Sequence, residues 1–491
     1  MSARSTTWVR RAAALVLVVA LVAVGVAWWR SQMPGTYSAA AMGRPDFGGG
    51  TRFGDHQGGH TGGTSVVDLV DPHRRPDARV ELVARAQQVT LPSGQTFDGY
   101  TLNGTTPGPT LRFTQGQYVE VVLRNENVAG GTTLHWHGLD VPAAMDGVAG
   151  VTQDAVMPGG SFTYRFTVTQ SGTFWYHSHQ VSHRQVVGGL FGALVIDPVG
   201  TTTPAPDAIA VTHNYAGGSR SINGVVGDVS HTASPGQVVR VRVVNTDNSP
   251  LGVWVVGAPF RVLAIDGTDL VGPTPLTGTK LLLTAGARAD LEVRVPPSGA
   301  VRVAMPGASM VVGPKGATAP PAGASPGPTL DLLGYGTPAA TGIDATEADR
   351  HFRYAIGRLP GFLRGRPGYW WTINGRMGDD VPMFMVRKGD LVVMTISNSS
   401  GQAHPMHLHG HHLLVLSRNG VTATGSPWWV DSLHVENGER YEVAFRADNP
   451  GVWMDHCHNL PHARDGLMTH LMYEGVQTPF LLGKNSGNEP E

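Results

Sequence analysis

The chain has 491 residues, among them 65 glycines, 35 prolines, 21 histidines and a single cysteine, Cys457. Gly and Pro make up about a fifth of it and charged residues 15%, which favours many short strands over long helices and falls short of a disordered composition. One cysteine excludes an intrachain disulfide and any CxxC zinc or redox motif, and a formal net charge of -1 gives no pull toward nucleic acid, so no such partner is expected.

Residues 1–30 read as a membrane anchor or signal segment. Ala12 to Trp29 is an apolar run of 18 residues, preceded by Arg10-Arg11 and closed by Trp28-Trp29-Arg30. It is long enough to span a bilayer, the basic flank predicts an N-in orientation, and the Trp pair suits the interface. The body of the protein is then expected outside the cytoplasm, anchored or secreted. A cleaved signal peptide ending at Ala39-Ala40-Ala41 is the alternative, but the run exceeds a usual signal core. The arginine pair also allows twin-arginine export. Residues 31–75 read as a flexible Gly-rich tether, with His56 and His60 solvated.

Three later stretches, 76–200, 201–345 and 346–482, share one pattern. Asn103-Gly104, Asn223-Gly224 and Asn374-Gly375 each lead to a glycine (116, 236, 389), followed nine residues later by an asparagine (125, 245, 398). The runs between alternate apolar and polar residues, as half-buried strands do. A second element (158–168, 284–295, 437–447) and a third (171–179, 298–306, 450–458) follow in the same order each time. This self-similarity predicts three duplicated all-β domains, each an antiparallel sandwich or Greek-key barrel. The Pro/Gly/Ala-rich stretch 312–328 reads as a linker ahead of the third copy.

The copies differ in histidine. Copy one carries His135-Trp136-His137-Gly138 and His177-Ser178-His179; copy three carries His404-Pro405-Met406-His407-Leu408-His409-Gly410 and His456-Cys457-His458. At the matching places copy two has Trp254-Val255-Val256-Gly257 and Ala304-Met305-Pro306. An HxH pair on a strand puts both imidazoles on one face. Four such pairs in two homologous domains converge most simply at the interface between them. Cys457 has His404 upstream and His462 five residues downstream. Two imidazoles and one thiolate are the ligand set of a blue-copper site, although zinc also accepts such ligands.

On the motifs HWHG, HSH, HPMHLHG and HCHNLPH the chain resembles the multicopper oxidases, the family of laccases, ferroxidases and bacterial cuprous oxidases, over about residues 80 to 480. The resemblance implies three cupredoxin-like domains and four copper ions. By it, His404, Cys457 and His462 would hold a type 1 copper, His135 and His407 a type 2 copper, and His137, His177, His179, His409, His456 and His458 a type 3 pair. It implies that a small-molecule reductant or a low-valent metal ion gives single electrons at the type 1 site. The HCH segment carries them to the cluster, where O2 becomes water. Cys457 and His462 are therefore on the catalytic path, and Asp146 is expected to relay protons or orient copper-bound water. A monomer is expected, since three domains complete the cluster within one chain.

The sequence also departs from bacterial relatives. The axial type 1 position falls on Leu467, or on Met468 if the loop shifts by one residue. Ala463 stands where a Glu is common, with Asp465 a substitute, and there is no long Met-rich insert. The leading expectation is a laccase-like oxidase of phenols, aromatic amines or metal ions; a dedicated Cu(I), Fe(II) or Mn(II) oxidase is the alternative. A purely electron-transferring cupredoxin leaves eight histidines unexplained, and nitrite-reductase relatives usually have two domains. The remaining histidines, such as His183, His411, His412, His434 and His470, read as supporting, core or surface residues.

Overall fold

The computed structural model describes residues 3–32, 35–51, 63–201, 207–215, 217–483 and 485–491. All nine strands expected from the three repeats form. They are Tyr118–Asn125, Val238–Asn245 and Leu391–Asn398; Ser161–Thr167, Arg288–Arg294 and Arg440–Arg446; and Gly172–His177, Val301–Met305 and Val452–Cys457. In each unit the first of these pairs antiparallel with the second. The inward positions of the alternating runs are buried, for example Val119, Val121 and Leu123 in the first unit.

The first unit is a sandwich of two four-stranded sheets. One of them ends in His135–His137 beside Gly172–His177, in a register that sets His135 opposite His177. The middle unit runs as one 11-stranded path folded back on itself. The third unit has a seven-stranded and a six-stranded sheet, and the latter holds His404–Leu408 between Val452–Cys457 and Ser432–Val435. One apolar core is shared by the second and third units, and a separate one fills the first.

The N-terminal helix, Ala3–Arg30, is long and apolar enough to cross a membrane, and its described apolar side chains are exposed. The tether reading for 31–75 needs correction over its described residues. Arg44–Asp46 pairs in parallel with Pro382–Val386, Thr64–Ser65 pairs with Val476–Gln477, and Tyr37 bridges Leu482. Ala39 and Val66 are fully buried. Short backbone ladders at a sheet edge need no apolar periodicity, so a polar, glycine-rich stretch conceals them. His56 and His60 lie outside the described residues. The 312–328 stretch also packs down: its Ala322 carbonyl accepts from Trp254 Nε1 (3.0 Å) and its Pro320 carbonyl from Arg302 Nε (2.7 Å).

Candidate metal centres

Strand alternation sorts the histidines of the third unit into two sites. Met406 lies opposite Cys457 and His407 opposite His456. Side chains of successive strand residues point to opposite faces. His404 and Cys457 therefore share one face, and His407 and His456 the other. His409 and His458 lie just beyond their strands, as His179 does in the first unit; only HWH lies wholly within one.

On the first face, Cys457 Sγ lies 3.5 Å from His404 Nδ1 and 3.8 Å from His462 Nδ1, and the two nitrogens are 3.2 Å apart. The short helix Leu460–Arg464, opened by Pro461, turns His462 back toward the strand. Ser400 Oγ is 2.8 Å from His404 Nε2, and the Asn459 amide 3.2 Å from His462 Nε2, so both rings present Nδ1 inward. Burial holds His404 down to about 3 and His462 to about 4, which keeps both neutral. Burial pushes the Cys457 thiol up. A thiolate at that place needs a cation beside it, which a metal supplies.

Leu467 is fully buried in the core cluster that contains Cys457, and its carbonyl accepts from Cys457 N (3.1 Å). Met468 lies opposite His456 in the ladder, which places it on the histidine face rather than the cysteine face.

On the other face, eight histidines meet between the first and third units. His135 stacks on His409 and His137 on His407, each with ring centroids 3.8 Å apart. Ligand-capable atoms come within 4.8 Å of one another in three sets: His135, His137 and His407; His137, His177 and His458; His179, His409 and His456. One nitrogen of most rings is fixed. His135 Nδ1 meets the Asp146 carbonyl, His177 Nδ1 the Ser178 carbonyl, His179 Nδ1 the Pro490 carbonyl and His407 Nδ1 the Asp431 carbonyl. The opposite nitrogens, and both of His458, are buried with no hydrogen-bond partner among the described residues, while His409 Nε2 and His456 Nε2 face each other at 3.2 Å. Buried polar atoms are rarely orphaned. So many convergent imidazole nitrogens fit copper as ligand. Burial, then the neighbouring imidazoles, hold His137, His177, His179, His407, His409, His456 and His458 well below the usual range, in the neutral form that binds metal.

Asp146 is buried and spans the two units: Oδ1 is 3.1 Å from His135 Nδ1 and Oδ2 is 3.0 Å from His409 Nδ1. Asp465 pairs instead with its neighbour Arg464 in a half-exposed position. A carboxyl does reach the cluster from a stretch the motifs do not mark. Glu491 Oε1 is 3.1 Å from His456 Nδ1, its Oε2 accepts from Ser182 Oγ (2.5 Å), and burial pushes it up to about 8.

Sequence reasoning also missed Asp431, Arg288 and Asp266. Arg288 of the middle unit donates two bonds of 2.6 Å to Asp431 and one of 3.0 Å to the Thr173 carbonyl, all without exposure. Asp431 Oδ1 accepts from His137 Nε2 (3.1 Å). Asp266 accepts from the backbone N of Asp431 and Ser432. Gly138, the glycine of HWHG, has φ +82°, and a Cβ there would strike both the guanidinium and Asp431. The available signals were a lone acid in the apolar run Trp428 to Val435 and an arginine on a buried strand. His411 is core, bonded to Tyr473 Oη at 2.7 Å; His412 lies between Asp140 and Asp431; His434 pairs with Glu436; His470 is buried.

A cysteine-centred site and an eight-histidine cluster, joined by one HCH segment across cupredoxin-like sandwiches, define a copper-dependent oxidoreductase. Multicopper oxidase family models match residues 84–200 and 358–475. The chain belongs to the multicopper oxidase family. It is similar to multicopper oxidase MmcO of Mycobacterium tuberculosis, at 27% identity across 84% of this chain and 91% of that protein. Laccase-1 of Botryotinia fuckeliana is 28% identical across 74% of this chain and 76% of its own. The crystal structure of a multicopper oxidase from Pseudomonas thermotolerans superposes with a TM-score of 0.67 at 28% identity, covering 81% of this chain and all of that one. Oxidases of this family couple one-electron oxidation of reducing substrates to reduction of O2 to water.

Proposed function

We propose that His404, Cys457 and His462 hold the type 1 copper with Leu467 in the axial position. His135 and His407 hold the type 2 copper, and His137, His177, His179, His409, His456 and His458 the type 3 pair. The observation that carries this reading is the convergence of orphaned buried imidazole nitrogens at one place, among them those of His458, the direct chain neighbour of the buried thiol. Bound copper supplies reversible one-electron transfer at the first site and four-electron reduction of O2 at the second.

The chain's own residues do the rest. Cys457 is covalently continuous with His456 and His458, so the backbone joins the two sites by the shortest possible path. Asp146 accepts from the Nδ1 atoms of His135 and His409, which fixes their tautomers and keeps Nε2 free. Its carboxyl and that of Glu491 are two acids at the cluster through which protons can be passed. The substrate is a phenol, an aromatic amine or a low-valent metal ion oxidised at the His462 edge, and one chain forms the whole cluster, so a monomer suffices.

The body lies outside the cytoplasm, held by the N-terminal helix as an anchor. The packing of Tyr37 and Ala39 against the third unit favours an anchor over cleavage after Ala41, which would remove those contacts.

Steady-state oxygen consumption across a phenol, Fe(II) and Cu(I) panel on copper-reconstituted protein tests the reading, together with copper content. About four coppers and turnover with a phenol are expected; a single copper per chain, or no oxygen uptake with any donor in fully loaded protein, would overturn it.

A further inference from the structure

The strands Arg350–Leu363 and Arg366–Ile373 form a hairpin whose outer half extends past the rest of the seven-stranded sheet. Arg350 to Ile356 pair with the neighbouring strand Leu391–Asn398, but from Gly357 outward the hairpin pairs only with itself. Two-stranded ribbons are marginal in water unless something covers them. This one is apolar, aromatic and cationic at once. The outer half, 357–373, carries Arg358, Arg364 and Arg366 and no acid, and Asp379 beyond its base acts on Arg364 alone of the three. Leu359 is 43% and Tyr369 56% exposed, and Phe362 and Trp370 are half-buried.

The tip touches the end of the apolar helix. Trp28 Nε1 donates to the Gly365 carbonyl at 3.1 Å, and Gly365 N donates to Ser31 Oγ at 3.2 Å. When that helix spans a bilayer, Trp28, Trp29 and Arg30 lie at the outer interface, and the hairpin tip lies at the same level. Trp and Tyr favour that depth, and arginines there meet anionic headgroups.

The geometry points to a second membrane contact: the ribbon 357–373 docks on the anionic bilayer surface beside the anchor. This rests on the anchor reading above. Its functional consequence lies in Trp371, whose ring sits 4.4 Å from that of His462 and 4.7 Å from that of His404. Arg358 covers Trp371 at 4.3 Å and Tyr369 at 4.8 Å. The wall of the type 1 site and the docking ribbon are one element, so docking holds the electron-entry edge close to the membrane.

The full copper-loaded chain is reconstituted into phosphatidylcholine/phosphatidylglycerol vesicles whose acyl chains are brominated near the glycerol, and tryptophan quenching is compared between wild type and Trp370→Phe. Vesicle flotation and the visible copper absorption report anchoring and folding. Both proteins should float, and the quenched tryptophan signal should fall in the variant by about the share of one indole. The difference should shrink in vesicles of phosphatidylcholine alone. Equal quenching in two floating proteins overturns the docking while leaving the anchor intact, and so does a Trp370-dependent self-association seen by sedimentation with no Trp370-dependent quenching. Failure of the wild type to float overturns the anchor and the docking with it.

Discussion

Arg288→Met tests whether the middle unit, which supplies no ligand, still shapes the copper cluster. The guanidinium is wholly buried and forked onto Asp431 by two bonds of 2.6 Å, with Asp266 Oδ1 3.6 Å away. Removing it strands two buried carboxylates. Breaking a buried ion pair by deleting one partner costs about 3–5 kcal/mol. Burial and the nearness of Asp431 already push Asp266 up, so the pair is poised to take a proton, and the low end of that range is expected. A loss of roughly 3 kcal/mol should lower the melting temperature by about 3–5 °C. Asp431 also orients His137 through Nε2 and His407 through its carbonyl, so copper affinity at the cluster should fall about 10–100-fold, in line with lost second-tier partners elsewhere. Calorimetry and copper titration followed by electron paramagnetic resonance measure the two effects separately. Arg288→Lys keeps the charge without the fork and should fall between. Melting within a degree or two of wild type, with a full type 2 and type 3 complement in Arg288→Met, would refute the reasoning.

Cys457→Ser should retain the fold, because serine is nearly isosteric with the buried cysteine it replaces, yet lose the blue absorption and turnover; retained blue colour would remove Cys457 from the type 1 site. Leu467→Met is nearly volume-conserving and costs less than about 1.5 kcal/mol. It should lower the type 1 reduction potential by adding an axial thioether. An unchanged potential in redox titration would place the axial residue elsewhere. His412 is raised from 6.5 to about 9: burial opposes its charge, but Asp140 and Asp431 more than offset it. The folded pKa exceeds the unfolded one, so this stabilisation is complete below about pH 6.5 and is lost as pH rises through 9, at most about 3 kcal/mol. His412→Gln should flatten that alkaline loss in urea unfolding measured from pH 6 to 10; an identical slope in wild type and variant would show that His412 does not carry it.

The strands were legible because the triplicated pattern repeats alternation and turn residues together: each Asn-Gly pair marks a turn, and each nine-residue interval a strand. The site was legible for a related reason. Copy two acts as an internal control, keeping the fold and losing the histidines. What the pattern could not show is contact between residues distant in sequence. Asp431 lies 143 residues from Arg288 and 294 from His137, and neither spacing has a periodicity that advertises the contact. The edge strands of 44–46 and 64–65 were hidden because two or three backbone hydrogen bonds need no particular side chains.

Those hidden contacts share a logic. The eight imidazoles come from two units only, and a cluster split across an interface is as rigid as that interface. Each half of the split is tied by a group that the motifs omit. Asp146 reaches from the first unit to His409 of the third. Arg288 reaches from the middle unit to Asp431 of the third and to the Thr173 carbonyl of the first, on the strand that ends in His177. Residues 490 and 491 close the remaining side, meeting His179 of the first unit and His456 of the third. Loss of ligands in copy two therefore left its side chains free for a structural task. Gly286 and Arg288 belong to its second repeated element, away from the places where the other two copies carry their histidines. Gly286 sits against the ring of His137, where a Cβ would approach within 2.8 Å, and its carbonyl receives Trp175 Nε1. The unit without copper is thus the wedge that sets the distance between the two that hold it.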